Sequence, residues 1–477
     1  LLGIVISSIT LKLFFFPYGI PITEDGLLYF RYAIDTSILG HLPETDLINN
    51  GWPLFMSPFF SMLHSINFLD YMTIQRTISV LISTFTIVPV YFLARRFFEP
   101  KYALLGGLLY ALEPRTIQNS LLGITEPLFI LFTTSTLVLF LSSRKEIIYL
   151  SFGIAALATQ VRYEGIVLFF LISILYFVKY RKKKKDLAKY SIALCVFILV
   201  MLPMSYARIV TTGSDGIFES VSSGVQVYGI EATASQENNI SGIFSYIFAG
   251  FHALIKYLGW IVIPYFVFFV PLGMFLILKK RSENSFFIIC TIIILSIPAL
   301  YAYSRGIQET RYLYILYPIF CVISIFAIKF LQERIKKILL IIIIGIILSS
   351  IIFLSLKNTD YEHETEAFEI AKHVASTTNV INAYYPESKY VRVIGMLDEF
   401  PILSGSVTFG PKVMSVDNQT LYEFIEKNRD EGLDHLVIDG RVDRAIFLTD
   451  VFNNDEKYTY LTKIFDSKDL GYKYHVK

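Results

Sequence analysis

Cysteine is scarce, at three of 477 residues: Cys195, Cys290 and Cys321. Each lies inside a long apolar run and none has metal-ligand spacing, so neither a disulfide framework nor a cysteine metal centre is expected. Tryptophan is scarcer still, with Trp52 and Trp260 alone. Charge is also low, at 17% of residues against 54% apolar, and the mean hydropathy is +0.56. Such a balance excludes a disordered chain, a nucleic-acid binder and an ordinary soluble enzyme. No glycine-rich phosphate loop occurs in the acidic C-terminal part. No internal repeat is visible, which argues against a repeat-built transporter.

What the chain does have is apolar length and an uneven charge. Its net charge of +2 hides a split. Residues 1–356 carry 28 Lys+Arg against 19 Asp+Glu, and residues 357–477 carry 14 against 21. A basic apolar part is therefore joined to an acidic polar part. The pattern predicts an all-α polytopic membrane domain over 1–356 and a soluble α/β domain over 357–477. A membrane-spanning helix needs ~20 mostly apolar residues. Eleven stretches qualify, near 1–20, 72–94, 102–118, 121–143, 146–161, 164–178, 188–208, 252–278, 285–304, 312–330 and 338–356. The third and fifth are short. The first lacks a small-residue cleavage site and is expected to be a signal-anchor helix.

The linkers predict orientation. With the N-terminus cytoplasmic, the inside loops hold 19 Lys+Arg and the outside loops of the membrane part hold 7. All five inside loops follow the positive-inside rule. The run Arg181–Lys185 then reads as an anchor at anionic headgroups. Residues 17–70, 209–251 and everything after Leu356 are placed outside, together with the sequons at Asn239 and Asn418. The tail shows helix patterns at 365–376 and 421–429, and strand patterns at 390–396 and 436–438.

Candidate chemistry gathers on the outside loops. The first begins Thr23-Glu24-Asp25-Gly26-Leu27-Leu28-Tyr29-Phe30-Arg31-Tyr32. Two adjacent carboxylates lie just past an apolar helix, and Leu27, Leu28, Phe30, Ala33 and Ile34 are expected to lie along the interface. A partly desolvated carboxylate is a stronger base, which suits proton abstraction from a hydroxyl acceptor. Two solvated loop charges is the plainer alternative. Glu126 opens the fourth stretch ahead of Pro127. A carboxylate there is either a helix-end residue or functional. Arg162 and Glu164 share the turn Arg162-Tyr163-Glu164-Gly165. Arg305 and Arg311, with Tyr312, flank the last outside turn, about two helical turns apart. A guanidinium fork suits a lipid phosphate, and snorkelling to ordinary headgroups is the alternative.

These segments resemble the GT-C glycosyltransferases. Glu24-Asp25-Gly26 with Arg31-Tyr32-Ala33, then Asn50-Gly51-Trp52-Pro53-Leu54-Phe55 and Ser57-Pro58, is similar to that family's first outside loop. Thr125-Glu126-Pro127-Leu128-Phe129, Arg162-Tyr163-Glu164-Gly165 and Arg311-Tyr312-Leu313 with Pro318 resemble its later motifs. The resemblance covers residues 1–330 and is strongest to the protein mannosyltransferase and aminoarabinose transferase group. It implies inverting transfer of a sugar from a polyprenyl-phosphate donor to an outside acceptor, whether protein, lipid or glycan. Asp25 matches the family's base, with Glu24 beside it. Arg31, Glu126, Arg162, Glu164, Arg305, Arg311 and Tyr312 are the expected substrate-binding residues. No cofactor is required, although Mg²⁺ or Mn²⁺ at Asp25 or Glu126 is compatible with hard oxygen ligands. The oligosaccharyltransferases share the fold but carry a Trp-Trp-Asp-Tyr-Gly motif in the soluble domain, and no Trp follows Trp260 here. A lipid or solute transporter and a non-catalytic surface scaffold are the rival classes.

Overall fold

A computed structural model of the chain describes residues 1–22, 24–45, 47–65, 68–182, 184–215, 239–280, 282–335 and 337–357. In the tail it describes 361–362, 365–366, 369, 383–384, 420–429, 435–436 and 446–471. Two compact units result. The first comprises Leu1–Phe16, Leu39–Met56 and Arg76–Asn358, and the second Pro17–Ile38, Ser57–Gln75 and Thr359–Lys477.

In chain order the helices are α1 (Leu2–Phe14), α2 (Glu24–Leu39), α3 (Gly51–Met62), α4 (Phe68–Phe85), α5 (Ile87–Arg95), α6 (Pro100–Ala111), α7 (Pro114–Ser120), α8 (Glu126–Phe140), α9 (Lys145–Val161) and α10 (Ile166–Tyr180). They continue with α11 (Lys184–Ala188), α12 (Tyr190–Thr212), α13 (Asn239–Ile261), α14 (Phe266–Lys280), α15 (Glu283–Leu295), α16 (Ile297–Ser304), α17 (Tyr317–Arg334) and α18 (Ile338–Leu356). Among the described residues, six helical segments are long and apolar enough to cross a membrane, and a bent pair makes a seventh. The chain is a multi-pass, helical membrane protein.

All eleven apolar stretches are helical, but several are not single rods. The first and fourth contain helices of 13 and 15 residues. The third breaks at Leu112–Glu113 ahead of Pro114, because proline disfavours a helical residue before it and lacks the N–H that would continue the ladder. The expected span 252–278 is corrected: its two helical parts meet at 114°. Pro264 falls in the break between α13 and α14.

The groups freed at these breaks find partners within the first unit. Arg115 Nη2 donates to Trp260 O at 2.6 Å, and Tyr317 Oη to Ile261 O at 3.1 Å. Ser350 Oγ donates to Leu112 O at 2.5 Å, and Gln118 Nε2 to Lys357 O at 2.6 Å. Helix α17 is the most enclosed, with Pro318–Ile325 all buried. It approaches α14 at Gly273, where a Cβ would sit 2.2 Å from Ile323 O, so only glycine permits the spacing. By contrast, Leu340, Ile341, Leu348 and Ile352 of α18 point outward, as lipid-facing side chains do. Lys12 and Arg76, cations inside apolar stretches, both find hydrogen-bond partners. Lys12 Nζ donates to the Ser83 and Thr84 hydroxyls at 2.8 and 3.2 Å, and Arg76 Nε to Leu121 O at 3.0 Å.

In the second unit, the stretch expected along the interface is instead buried in protein. Leu27, Phe30, Ala33 and Ile34 are buried while Leu28 is exposed. The Phe30 ring meets Phe60 at 5.6 Å, and Phe60 meets Tyr71 at 5.6 Å. Gln75 Nε2 closes the packing on Gly26 O at 3.1 Å. In the tail, α19 (Leu421–Arg429) fulfils the helix pattern, and a two-residue parallel pairing joins Ala383–Tyr384 to His435–Leu436. Leu421 and Val451 form a small core with Ile425 and Phe452, the last on α20 (Ile446–Asn453). The strand at 390–396, most of 365–376 and Asn418 lie outside the described residues.

Candidate active site

Four chain segments of the first unit bring polar side chains to one cleft. Helix α8 begins at Glu126, with Pro127 in its first turn where a missing N–H costs nothing. Helix α9 ends at Val161, and Arg162 leaves it in an extended conformation. A single 3₁₀ turn, Tyr163–Gly165, then reverses the chain into α10. The fourth segment is a second 3₁₀ stretch, Thr310–Leu316, leading into α17. All of these lie at the helix ends opposite Arg144-Lys145 and Arg334.

The turn that carries Arg162 is set by close backbone approach. A Cβ on Gly165 would lie 2.7 Å from Ala158 C, and one on Gly51 would lie 2.5 Å from Gln160 O. Asn49 Oδ1 accepts from Tyr163 N at 3.1 Å, and the fully buried Trp52 donates to Gly123 O at 3.0 Å. Residues 49–52 thus brace both the Arg162 turn and the entry to α8.

Arg162 lies at the centre. Its Nη1 donates to Glu126 Oε1 at 2.6 Å and to Thr125 Oγ1 at 3.1 Å, and its Nη2 donates to Glu164 Oε1 at 2.8 Å. Its guanidinium also lies 5.5 Å from the Tyr312 ring centroid, a cation–π distance. Arg311 Nε contacts Glu309 and lies 3.9 Å from Glu126 Oε1. Glu126, Arg162 and Glu164 are 3%, 8% and 8% exposed. Buried charges persist only when paired and hydrogen-bonded in this way. Glu126 is therefore an ion-pair residue, and its helix receives no side-chain cap.

A small cleft opens beside this cluster. Glu126, Arg162, Glu164, Arg311 and Tyr312 supply its polar wall. Phe129, Ile130, Leu295, Pro298 and Ile315 supply the apolar remainder. A few fixed polar groups over an apolar floor is the usual build of a small-molecule site.

Five of the expected residues are thus brought together. Arg305 is not among the lining residues: it is exposed at the end of α16, over the Tyr301 ring at 5.6 Å. The expected two-turn helical spacing of Arg305 and Arg311 is also corrected, because α16 ends at Ser304 and a separate 3₁₀ stretch carries Arg311. Asp25 and Arg31 lie on α2 in the second unit, each half-buried. Glu24 is the first residue of α2, and its side chain lies outside the described residues. Thr125 and Glu309 were not picked out as binding residues, although each lies within two positions of one that was. Among the described residues, no three His, Cys, Asp or Glu side chains converge as metal ligands. Glu126 is committed to Arg162 and so is not free to hold a divalent cation.

Comparison with known proteins adds two findings. Residues 55–207 match the family model of dolichyl-phosphate-mannose-protein mannosyltransferase. The fold is shared with solved structures of an oligosaccharyltransferase from Archaeoglobus fulgidus. Its complex with Zn and sulfate has 14% identity and a TM-score of 0.55, covering 85% of this chain and 58% of that one. Its complex with an inhibitory peptide and a dolichol-phosphate has 13% identity and a TM-score of 0.54, covering 86% and 61%. The chain thus spans about three-fifths of the length of these neighbours. No curated protein matches. Both findings fall in one class, the GT-C glycosyltransferases, whose fold this chain has.

Proposed function

We propose that the chain is a membrane glycosyltransferase that moves a sugar from a polyprenyl-phosphate donor to an extracytoplasmic acceptor with inversion. The observation that carries this is the cleft: buried, fixed charges at one end of the bundle, opening over apolar walls that suit an isoprenoid. The donor phosphate pairs with Arg311 at the cleft, aided by Arg305. Asp25 takes the acceptor's proton as its hydroxyl attacks the anomeric carbon, and the polyprenyl phosphate leaves. A phosphate whose charge is paired is already a competent leaving group, so positioning and electrostatics carry most of the rate. The match to the mannosyltransferase family supports mannose as the first sugar to try. The soluble tail orients the acceptor and holds no catalytic group of its own.

The shared fold favours one second reading, an oligosaccharyltransferase-like reaction. The absence of any tryptophan after Trp260 weighs against it. Purified protein in nanodiscs, given polyprenyl-phosphate monosaccharides or polyprenyl-diphosphate oligosaccharides with a peptide acceptor, separates the two. Release of polyprenyl phosphate from the monosaccharide donor alone is expected. Turnover of the diphosphate oligosaccharide alone would replace the proposal with the second reading.

A further inference from the structure

The geometry points to Glu164 as the residue that reads the donor's sugar: we propose that its Oε2 accepts a hydrogen bond from a sugar hydroxyl inside the cleft. This rests on the polyprenyl-phosphate reading above and adds to it a division of the cleft into two walls.

Glu164 is 8% exposed and lines the cleft. Its Oε1 is taken by Arg162 Nη2 at 2.8 Å. Its Oε2 is buried with no hydrogen-bond partner. A buried acceptor left unsatisfied is costly, and in a well-formed site it marks the place where a ligand supplies the missing donor. The donor cannot be a phosphate, which offers acceptors. Charge points the same way. Glu126, Glu164 and Glu309 outnumber Arg162 and Arg311 by one, so an anion against the Glu164 wall is repelled. A sugar hydroxyl brings a donor without charge.

Arg162 does not compete for the phosphate. Both of its terminal nitrogens are bonded to carboxylates, which makes it a positioning residue for Glu126 and Glu164. The Glu164 carboxylate is further fixed from behind. Its turn is pinned by Tyr163 N on Asn49 and by the contact of Gly165 with Ala158. A carboxylate that cannot swing aside discriminates between sugars by where their hydroxyls point, because a mismatched sugar leaves Oε2 unsatisfied. The phosphate is then left to the Arg311 wall.

The test measures binding of bare polyprenyl phosphate and of the same lipid bearing mannose, glucose, galactose or N-acetylglucosamine to full-length protein in nanodiscs. Wild type should bind at least one sugar-bearing lipid about 10–100-fold tighter than the bare lipid, the range set by a hydrogen bond to a charged group. Glu164→Gln keeps the side-chain shape but turns an NH₂ toward the cleft. It should bring that ratio to about one, with bare-lipid affinity retained. Arg311→Ala should weaken both lipids and leave the ratio in place. A ratio unchanged in Glu164→Gln overturns the proposal, as does a loss shared equally by bare and sugar-bearing lipid. Wild type that binds the bare lipid as tightly as all four glycolipids overturns it while the donor class stands. Wild type that binds none of the five overturns the donor class, and the role of Glu164 with it.

Discussion

Replacing Arg162 by methionine removes the guanidinium but keeps much of its packing volume. Glu126 and Glu164, with side chains 5% and 9% exposed, would then lose their nearest positive partner. They would lose bonds of 2.6 and 2.8 Å. Removing one partner of a buried pair costs about 3–5 kcal/mol, because the remaining charge stays desolvated. Arg162→Met is therefore expected to lose at least that much, a large part of the ~5–15 kcal/mol that holds a typical domain folded. The loss comes from stranded charge more than from lost attraction, so neutralising the acids should recover it. The triple variant Arg162→Met/Glu126→Gln/Glu164→Gln should regain more than half of the drop. Thermal unfolding of the full chain in nanodiscs, followed by intrinsic fluorescence, reports it. Trp52 is buried beside the α8 entry and makes a local probe. A midpoint for Arg162→Met equal to wild type would refute the reasoning. So would a triple variant less stable than the single one.

Three further outcomes are expected. Asp25→Asn should lower transfer by ~10²–10⁴, the usual range for losing a general base, with donor affinity nearly kept. Glu24→Gln should cost less, and turnover set against donor binding for each variant checks both. Cysteines placed at Lys182 and Ser388 should be labelled from opposite sides of the membrane, and labelling from one side would break the assigned orientation. Gly165→Ala should lower both the thermal midpoint and donor binding, because its Cβ would meet the Ala158 carbonyl carbon at 2.7 Å and push Glu164 off position.

The sequence pattern located the helices better than it shaped them. Ile338–Leu356 is bounded as read, because an unbroken apolar run between charged ends leaves one solution. The stretch 252–278 is also apolar, yet bends by 114°. Hydropathy measures transfer to lipid and is blind to direction, and Pro264 was the local sign of a break. At the cleft, residue type and sidedness brought Glu126, Arg162, Glu164, Arg311 and Tyr312 to notice. Their pairing was not legible, because it depends on two 3₁₀ turns and on glycine contacts between segments over a hundred residues apart. Glu126 shows the difference well. From sequence it was a helix-end acid or a substrate-binding residue, and packing pairs it with Arg162.

The break at Glu113–Pro114 has a consequence for how the protein is made. Several polar groups around it are met by residues far along the chain. Arg115 reaches Trp260, Leu112 is met by Ser350, and Gln118 reaches Lys357, a separation of 239 residues. At the usual ~5–20 residues per second of synthesis, that last partner emerges on the order of 10–50 s later. Until then the third apolar stretch carries a broken helix and an acidic residue with none of these contacts made. The contacts that tie down this break are therefore complete only after the final helix has been made.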